Sequence, residues 1–311
     1  MRSPVVALAL MLLNACAAPG PVPEAAAPAP LASDAEIDAA IAAPVTGFAA
    51  DMRWNEPTAP FTVIGNIHYV GTQTVSAWLI TTPEGHVLID GIVPQSPPLI
   101  LGNIRTLGFK PQDVKFLLNS HAHIDHAGGL AALQRATGAV MIASAADKPF
   151  LEAGDIGFGP TGGIKFPPVR VDRLIADGET VSLGGVTLTA HLTPGHSPGC
   201  TSWTLPVTGA DGAAHTAFLH CSATVAGQKL VPESYPGMVA DFRASFEKVR
   251  LIQADVFLAN HDSFFGLKEK RERLLAGDAN AFVDAAELQT FNTEMEEAFE
   301  TRLAMEEDMA G

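Results

Sequence analysis

Four residues able to bind a metal fall within six positions of this 311-residue chain: His121, His123, Asp125 and His126. Imidazole nitrogen and carboxylate oxygen are donors that Zn²⁺ prefers, and zinc at an open site polarises a carbonyl and lowers the pKa of bound water to about 7. The run comes directly after Val114 to Asn119, which reads as a buried strand. The four residues therefore fall on a loop and can converge, as they could not on one strand face. A chance surface group is a poor account of such a run, which continues into Ala127-Gly128-Gly129. Further ligands must come from distant sequence. His196 sits in Thr193-Pro194-Gly195-His196-Ser197-Pro198-Gly199, a strand-to-loop corner, and His261 sits in Asn260-His261-Asp262, just past a strand. His68, His86, His191, His215 and His220 lie inside strand-like runs, where packing or surface roles account for them.

The elements that must position these residues can be read from hydrophobic pattern and turn residues. Strands are expected over 61–70, 74–80, 86–90, 114–119 and 139–143, with helices over 97–108, 129–137 and 145–152. A Gly/Pro-rich loop from Gly154 to Pro168 is long enough to be functional. Strands then recur at 169–175, 180–183, 186–193, 200–207 and 214–221, followed by a helix over 238–253, a strand over 255–259 and helix over 266–307. The second half thus repeats the order of the first. Two such halves, neither able to close a core alone, predict two sheets packed face to face with helices outside. Glu296, Glu297, Glu300, Glu306, Glu307 and Asp308 are expected on a solvated helix face.

Composition bounds the function. The chain is 47% apolar and 17% charged, ample for a core, and 19 basic against 34 acidic residues give a net charge of −15. Nucleic acid and anionic membrane surfaces are excluded as bulk partners, and an anionic substrate needs a local cation. Arg2, the apolar run Val5 to Leu13 and Asn14-Ala15-Cys16-Ala17 form a secretory signal over residues 1–17, too short to span a membrane, which places the protein in the periplasm. Leu13-Asn14-Ala15-Cys16 also resembles a bacterial lipobox, with Cys16 as a lipid anchor, while cleavage after Ala17 explains the same letters without lipid. Residues 18–32 read as an Ala/Pro-rich tether, leaving 33–311 as the folded domain. Cys200 and Cys221 remain in an oxidising compartment. A hairpin centred between Ala210 and Asp211 sets them opposite each other and predicts a disulfide, which a slip of one residue would undo.

The run from His121 to His126 has the H-x-H-x-D-H form and resembles the metallo-β-lactamase superfamily, over about residues 60–275. The resemblance implies a four-layer αββα sandwich, with one zinc on His121, His123 and His196 and a second on Asp125, His126 and His261. Lactonases and thioesterases of that superfamily carry a bridging Asp where this chain has His220-Cys221-Ser222, which turns the expectation to a β-lactamase. His126 completes the second site as in the third, dizinc subclass, and this leaves Cys221 out of the ligand set. The run Ser222 to Leu230 resembles the same subclass, in which two hydroxyl residues, here Ser222 and Thr224, hold the substrate carboxylate. The implied reaction is opening of the β-lactam amide by a metal-bridged hydroxide, with Asp125 orienting it, in a monomer. A lactone or thioester hydrolase of the same fold is the alternative. A secreted zinc protein without turnover would need a further ligand to close the site.

Overall fold

The computed structural model describes residues 31–311. The leader, the Cys16 reading and nearly all of the tether lie outside the described residues. Among the described residues, no helix is long and apolar enough to cross a membrane.

Two helices that the pattern did not suggest come first, α1 (Asp34–Ala42) and α2 (Phe48–Asp51). Ser33 starts α1 with a capping box: its Oγ accepts the Glu36 N–H, and the Glu36 carboxylate accepts the Ser33 N–H. Arg135 pairs with Asp34 and Asp38. Such exposed pairs contribute about 0–1 kcal/mol each, so burial of Ile37 and Trp54, at about 1.5–3 kcal/mol per side chain, does more to dock this segment.

The first sheet contains β1 (Phe61–Ile64), β2 (Ile67–Tyr69), β3 (Trp78–Thr82), β4 (Gly85–Ile89), β5 (Val114–Leu118), β6 (Val140–Ser144) and β7 (Arg173–Ile175), adjacent in that order. The expected single strand over 61–70 is a hairpin. Gly65 turns the chain at φ +52°, where a Cβ would meet the Thr208 carbonyl at 2.6 Å. Pairing is antiparallel up to β4 and parallel from β4 to β7. The crossovers carry α3 (Pro97–Thr106), α4 (Ile124–Ala127), α5 (Leu130–Thr137) and α6 (Lys148–Ala153). The second sheet has β8 (Thr180–Leu183), β9 (Val186–Leu192), β10 (Thr201–Thr208), β11 (Ala214–His220) and, after α7 (Met238–Arg250), β12 (Val256–Ala259) in the order β12-β11-β10-β9-β8. The C-terminal region is two helices, α8 (Leu267–Leu275) and α9 (Glu287–Ala310), where one run over 266–307 was expected.

Strand alternation sorts the layers. Trp78, Ile80, Val87, Ile89 and Leu118 pack with Trp203, Leu205 and Leu219 of the second sheet. Their neighbours Leu79, Leu88 and Leu117 pack with Ile100, Ile104 and Leu133 of the covering helices. On the other side Phe242, Phe246 and Phe299 from α7 and α9 cover the second sheet. The result is the expected αββα sandwich.

Two sequence expectations are corrected. The β10–β11 ladder runs Trp203↔Leu219 to Thr208↔Ala214, one residue out of the expected register. The Cys200–Cys221 disulfide is nevertheless present, with Cα atoms 5.7 Å apart. Both cysteines lie beyond the last pairs of this ladder, where the chains are no longer held directly opposite. The acidic face of α9 is also not wholly solvated. Glu306 is buried, accepting hydrogen bonds from Leu230 N–H at 2.7 Å and Val231 N–H at 2.9 Å, and Glu300 takes a bidentate Arg243.

Candidate metal centre

Every segment of the site leaves the C-terminal end of a strand. His121 and His123 come after β5, His196 after β9, Ser222 and Thr224 after β11, and His261 after β12. Gly128 and Gly129 let the chain after His126 pack against the segment that follows β4, for a Cβ on Gly129 would stand 2.1 Å from the Gly91 carbonyl.

The six predicted ligands gather into two triads, all buried except the partly exposed His261. In the first, His196 Nε2 lies 3.0 Å from His123 Nδ1 and 3.1 Å from His121 Nε2. In the second, Asp125 Oδ2 lies 3.4 Å from His126 Nε2 and 3.3 Å from His261 Nε2, and the two nitrogens are 3.2 Å apart. Two nitrogens bound to one tetrahedral zinc at about 2.0–2.1 Å stand about 3.3 Å from each other. These separations therefore match the edges of a zinc tetrahedron, and each triad supplies three of its four corners.

Protonation state and orientation fit as well. His121 donates through Nδ1 to Ser120 Oγ at 3.1 Å, His196 through Nδ1 to the Thr224 carbonyl at 2.8 Å, and His261 through Nδ1 to the Thr74 carbonyl at 3.3 Å. Each bond places the proton on the outer nitrogen and leaves the Nε2 lone pair facing inward. Burial holds His121 and His196 well below the ordinary histidine pKa and lowers His123 to about 4, so all three are neutral. Burial opposes ionisation of Asp125, but His126 and His261 outweigh it and hold the carboxyl well below its usual range. Burial likewise pushes His126 down, yet Asp125 and Asp90 overcome this and raise it to about 10. A cation bound to this triad would take the place of that proton, since a ligand imidazole must be neutral.

Asp90 is the functional residue that the sequence reading missed. It is buried, sits at φ +69° after β4, and accepts Ser120 N–H at 2.6 Å, Ser120 Oγ–H at 2.8 Å and His126 Nδ1–H at 3.1 Å. It thereby orients one ligand of each triad, His126 directly and His121 through Ser120. A lone Asp ending a strand carries little signal by itself; its φ, which most residues avoid, becomes visible only in the folded chain.

The other five histidines stay outside the centre. His68 bonds Thr62 and Thr81, His191 bonds Thr204, His215 bonds Asp255, and His220 bonds Ser202. His86 packs edge-to-face with Phe109. Ser222 Oγ and Thr224 Oγ1 are 3.2 Å apart, and Thr224 Oγ1 is 3.4 Å from His196 Nδ1. Cys221 Sγ is 3.5 Å from His121 Nδ1, the outer nitrogen, and so lies behind His121 and not among the atoms that face into the first triad. With the disulfide structural, Cys221→Ser is expected to keep its metal content and most turnover while melting lower. Disulfide loss typically costs about 2–5 kcal/mol in small secreted domains, and less is expected in one of this size. Loss of a metal equivalent from this variant, measured by elemental analysis, would make Cys221 a ligand instead.

Comparison with known proteins agrees with this geometry. A solved subclass B3 metallo-beta-lactamase of Bradyrhizobium japonicum, BJP-1, superposes with a TM-score of 0.80 at 41% identity, covering 85% of this chain and 100% of that one. The native FEZ-1 metallo-beta-lactamase of Legionella gormanii gives 0.78 at 36% identity, covering 81% and 98%. Among curated sequences, a hydroxyacylglutathione hydrolase of Anaeromyxobacter dehalogenans is 30% identical over 122 residues, 39% of this chain and 38% of that protein. The N-acyl homoserine lactonase AttM of Rhizobium radiobacter is 31% identical over 153 residues, 40% and 57%. The chain thus spans about half the length of these curated relatives. The profile of the Metallo-beta-lactamase superfamily matches residues 70–261, a span that opens just past β2 and closes on the candidate ligand His261. With more than half of its length matched, the chain belongs to the metallo-beta-lactamase superfamily.

Proposed function

We propose that the protein hydrolyses the β-lactam ring amide of antibiotics with two zinc ions, acting as a monomer in the periplasm and conferring β-lactam resistance. The observation that carries this reading is the composition of the segment at the end of β11. His220-Cys221-Ser222 offers no carboxylate to bridge two metals, Cys221 is joined to Cys200, and Ser222 and Thr224 present paired hydroxyls beside His196. The solved β-lactamases of Bradyrhizobium japonicum and Legionella gormanii, similar over nearly their whole length, support it.

Zinc on the two triads would supply a Lewis acid for the lactam carbonyl and water activated for attack. Asp125 orients that water and carries a proton as the amide opens. Ser222 and Thr224 hold the substrate carboxylate through their hydroxyls. His196 is fixed by Thr224, so the residue that binds substrate and the ligand that faces it move together. Two divalent ions outweigh Asp125 and Asp90 locally, which lets an anionic antibiotic enter a protein of net charge −15.

The curated relatives favour one competing reading, a lactone or thioester hydrolase. Purified protein assayed on a chromogenic cephalosporin, an acyl homoserine lactone and a glutathione thioester separates the two. The expected kcat/KM is highest for the cephalosporin, by about a hundredfold or more, corresponding to about 2.7 kcal/mol of preferential transition-state binding. A preference for lactone or thioester would overturn the assignment.

A further inference from the structure

Outside the ligand set, one buried carboxylate touches the supports of the first triad from two sides. Asp147 is fully buried at the N-cap of α6, yet its side chain makes no capping bond to that helix. An N-cap Asp ordinarily accepts a backbone N–H of its own first turn, which contributes about 0.5–2 kcal/mol. Here the carboxylate turns away, toward the end of β5. Its Oδ2 accepts Asn119 Nδ2–H at 2.7 Å, from a residue two positions before His121.

The same short segment grips the corner that carries His196. Asp147 Oδ1 is packed against Gly199, where a Cβ would stand 2.0 Å away. Ser144 Oγ–H donates to the Gly199 carbonyl at 3.0 Å and accepts the Asp147 N–H at 3.2 Å. The two ligand loops are also joined directly, by Thr201 N–H to the Ser120 carbonyl at 2.8 Å. Asp147 Oδ1 and Asn119 Oδ1 have no hydrogen-bond partner among the described residues. A buried carboxylate held by so few donors is an unfavourable way to stabilise a helix of six residues. Its contacts make sense as a brace between the His121/His123 loop and the His196 corner.

We propose that Asp147 is a positioning residue for the first metal triad, holding His121 and His123 at the spacing from His196 that a zinc ion requires. It does not touch metal or substrate. The proposal rests on the two-triad metal centre and is independent of which substrate is hydrolysed.

The test is zinc affinity, measured on wild type, Asp147→Ala, Asp147→Asn and Asn119→Ala by competition with a chromophoric chelator, together with melting of the metal-free proteins. Asp147→Ala is expected to weaken one of the two zinc equivalents about tenfold to a hundredfold while leaving the other unchanged, in the range of losses typical for residues behind metal ligands. Its kcat should fall in parallel and its KM stay near wild type. Asp147→Asn keeps an acceptor oxygen for Asn119 and should recover most of the affinity. Should Asp147→Ala not fold, Asn119→Ala removes the donor instead and should weaken the same equivalent in the same direction. Unchanged zinc affinities, or lower melting with both equivalents weakened equally, would overturn the role. Wild-type protein that binds no zinc would defeat the metal centre itself, whereas two wild-type equivalents with unaltered variants would defeat only Asp147.

Discussion

His196→Ala is expected to lose one zinc equivalent and to lower kcat about 10²- to 10³-fold or more, the loss typical when one electrostatic stabiliser of the transition state is removed. Each triad offers three donors at tetrahedral spacing, and deleting one leaves two, with His121 Nε2 and His123 Nδ1 facing a gap. The effect should be larger than that of any binding residue, because in the proposed mechanism Asp125 acts on water that only the metals would activate. Exhaustive chelation of the wild type should reproduce the loss and zinc should reverse it. Metal analysis should find close to two equivalents in the active wild type and about one in His196→Ala. Turnover that survives chelation, or a His196→Ala variant with two zinc equivalents and near-wild-type kcat, would refute the assignment of these residues. Metal-free protein should also melt lower, since ligand bound only by the folded state stabilises it by mass action.

Replacing Ser222 and Thr224 should change a different parameter. The substrate carboxylate does not react, so hydroxyls that hold it contribute nearly equally to ground and transition states, and their removal raises KM more than it lowers kcat. A hydroxyl bonded to a charged group contributes about 1.5–3 kcal/mol, so each of Ser222→Ala and Thr224→Ala is expected to raise KM for a penicillin roughly tenfold to a hundredfold. The structure explains why Thr224→Ala should spare kcat although it borders His196: the bond that fixes the His196 tautomer goes to the Thr224 backbone carbonyl at 2.8 Å, which the substitution keeps. The two hydroxyls are 3.2 Å apart and face one group, so the double variant should fall short of the product of the single effects. An unchanged KM in both single variants and the double would remove them from the substrate site. A fall in kcat with KM unchanged would instead place them with the metal supports.

The candidate ligands, which the structure brings together in two triads, stood out in the sequence because metal chemistry restricts residue type and a strand followed by a loop restricts placement. His121, His123, Asp125 and His126 lie close enough in the chain for one turn to gather them, and His196 and His261 stood out by ending strands instead of lying within them. The layer order was legible for a related reason, since strands and helices alternate with different hydrophobic periods. Tertiary structure decided the remainder. The N-terminal helix docks by burying Ile37 in a core cluster drawn from distant segments, and Glu306 is drawn out of an acidic face to bond the backbone at 230–231. The β10–β11 register differs by one residue from the position at which the cysteines would be opposite, and the disulfide forms past the ladder's end. Asp90 and Asp147 belong to the same class. Their types are ordinary and their neighbours uninformative, because what gives a buried carboxylate its role is the set of N–H groups and side chains that folding brings to it from elsewhere in the chain. Local spacing specifies donors that one loop can gather; hydrogen bonds between distant segments exist only once the sheets have packed.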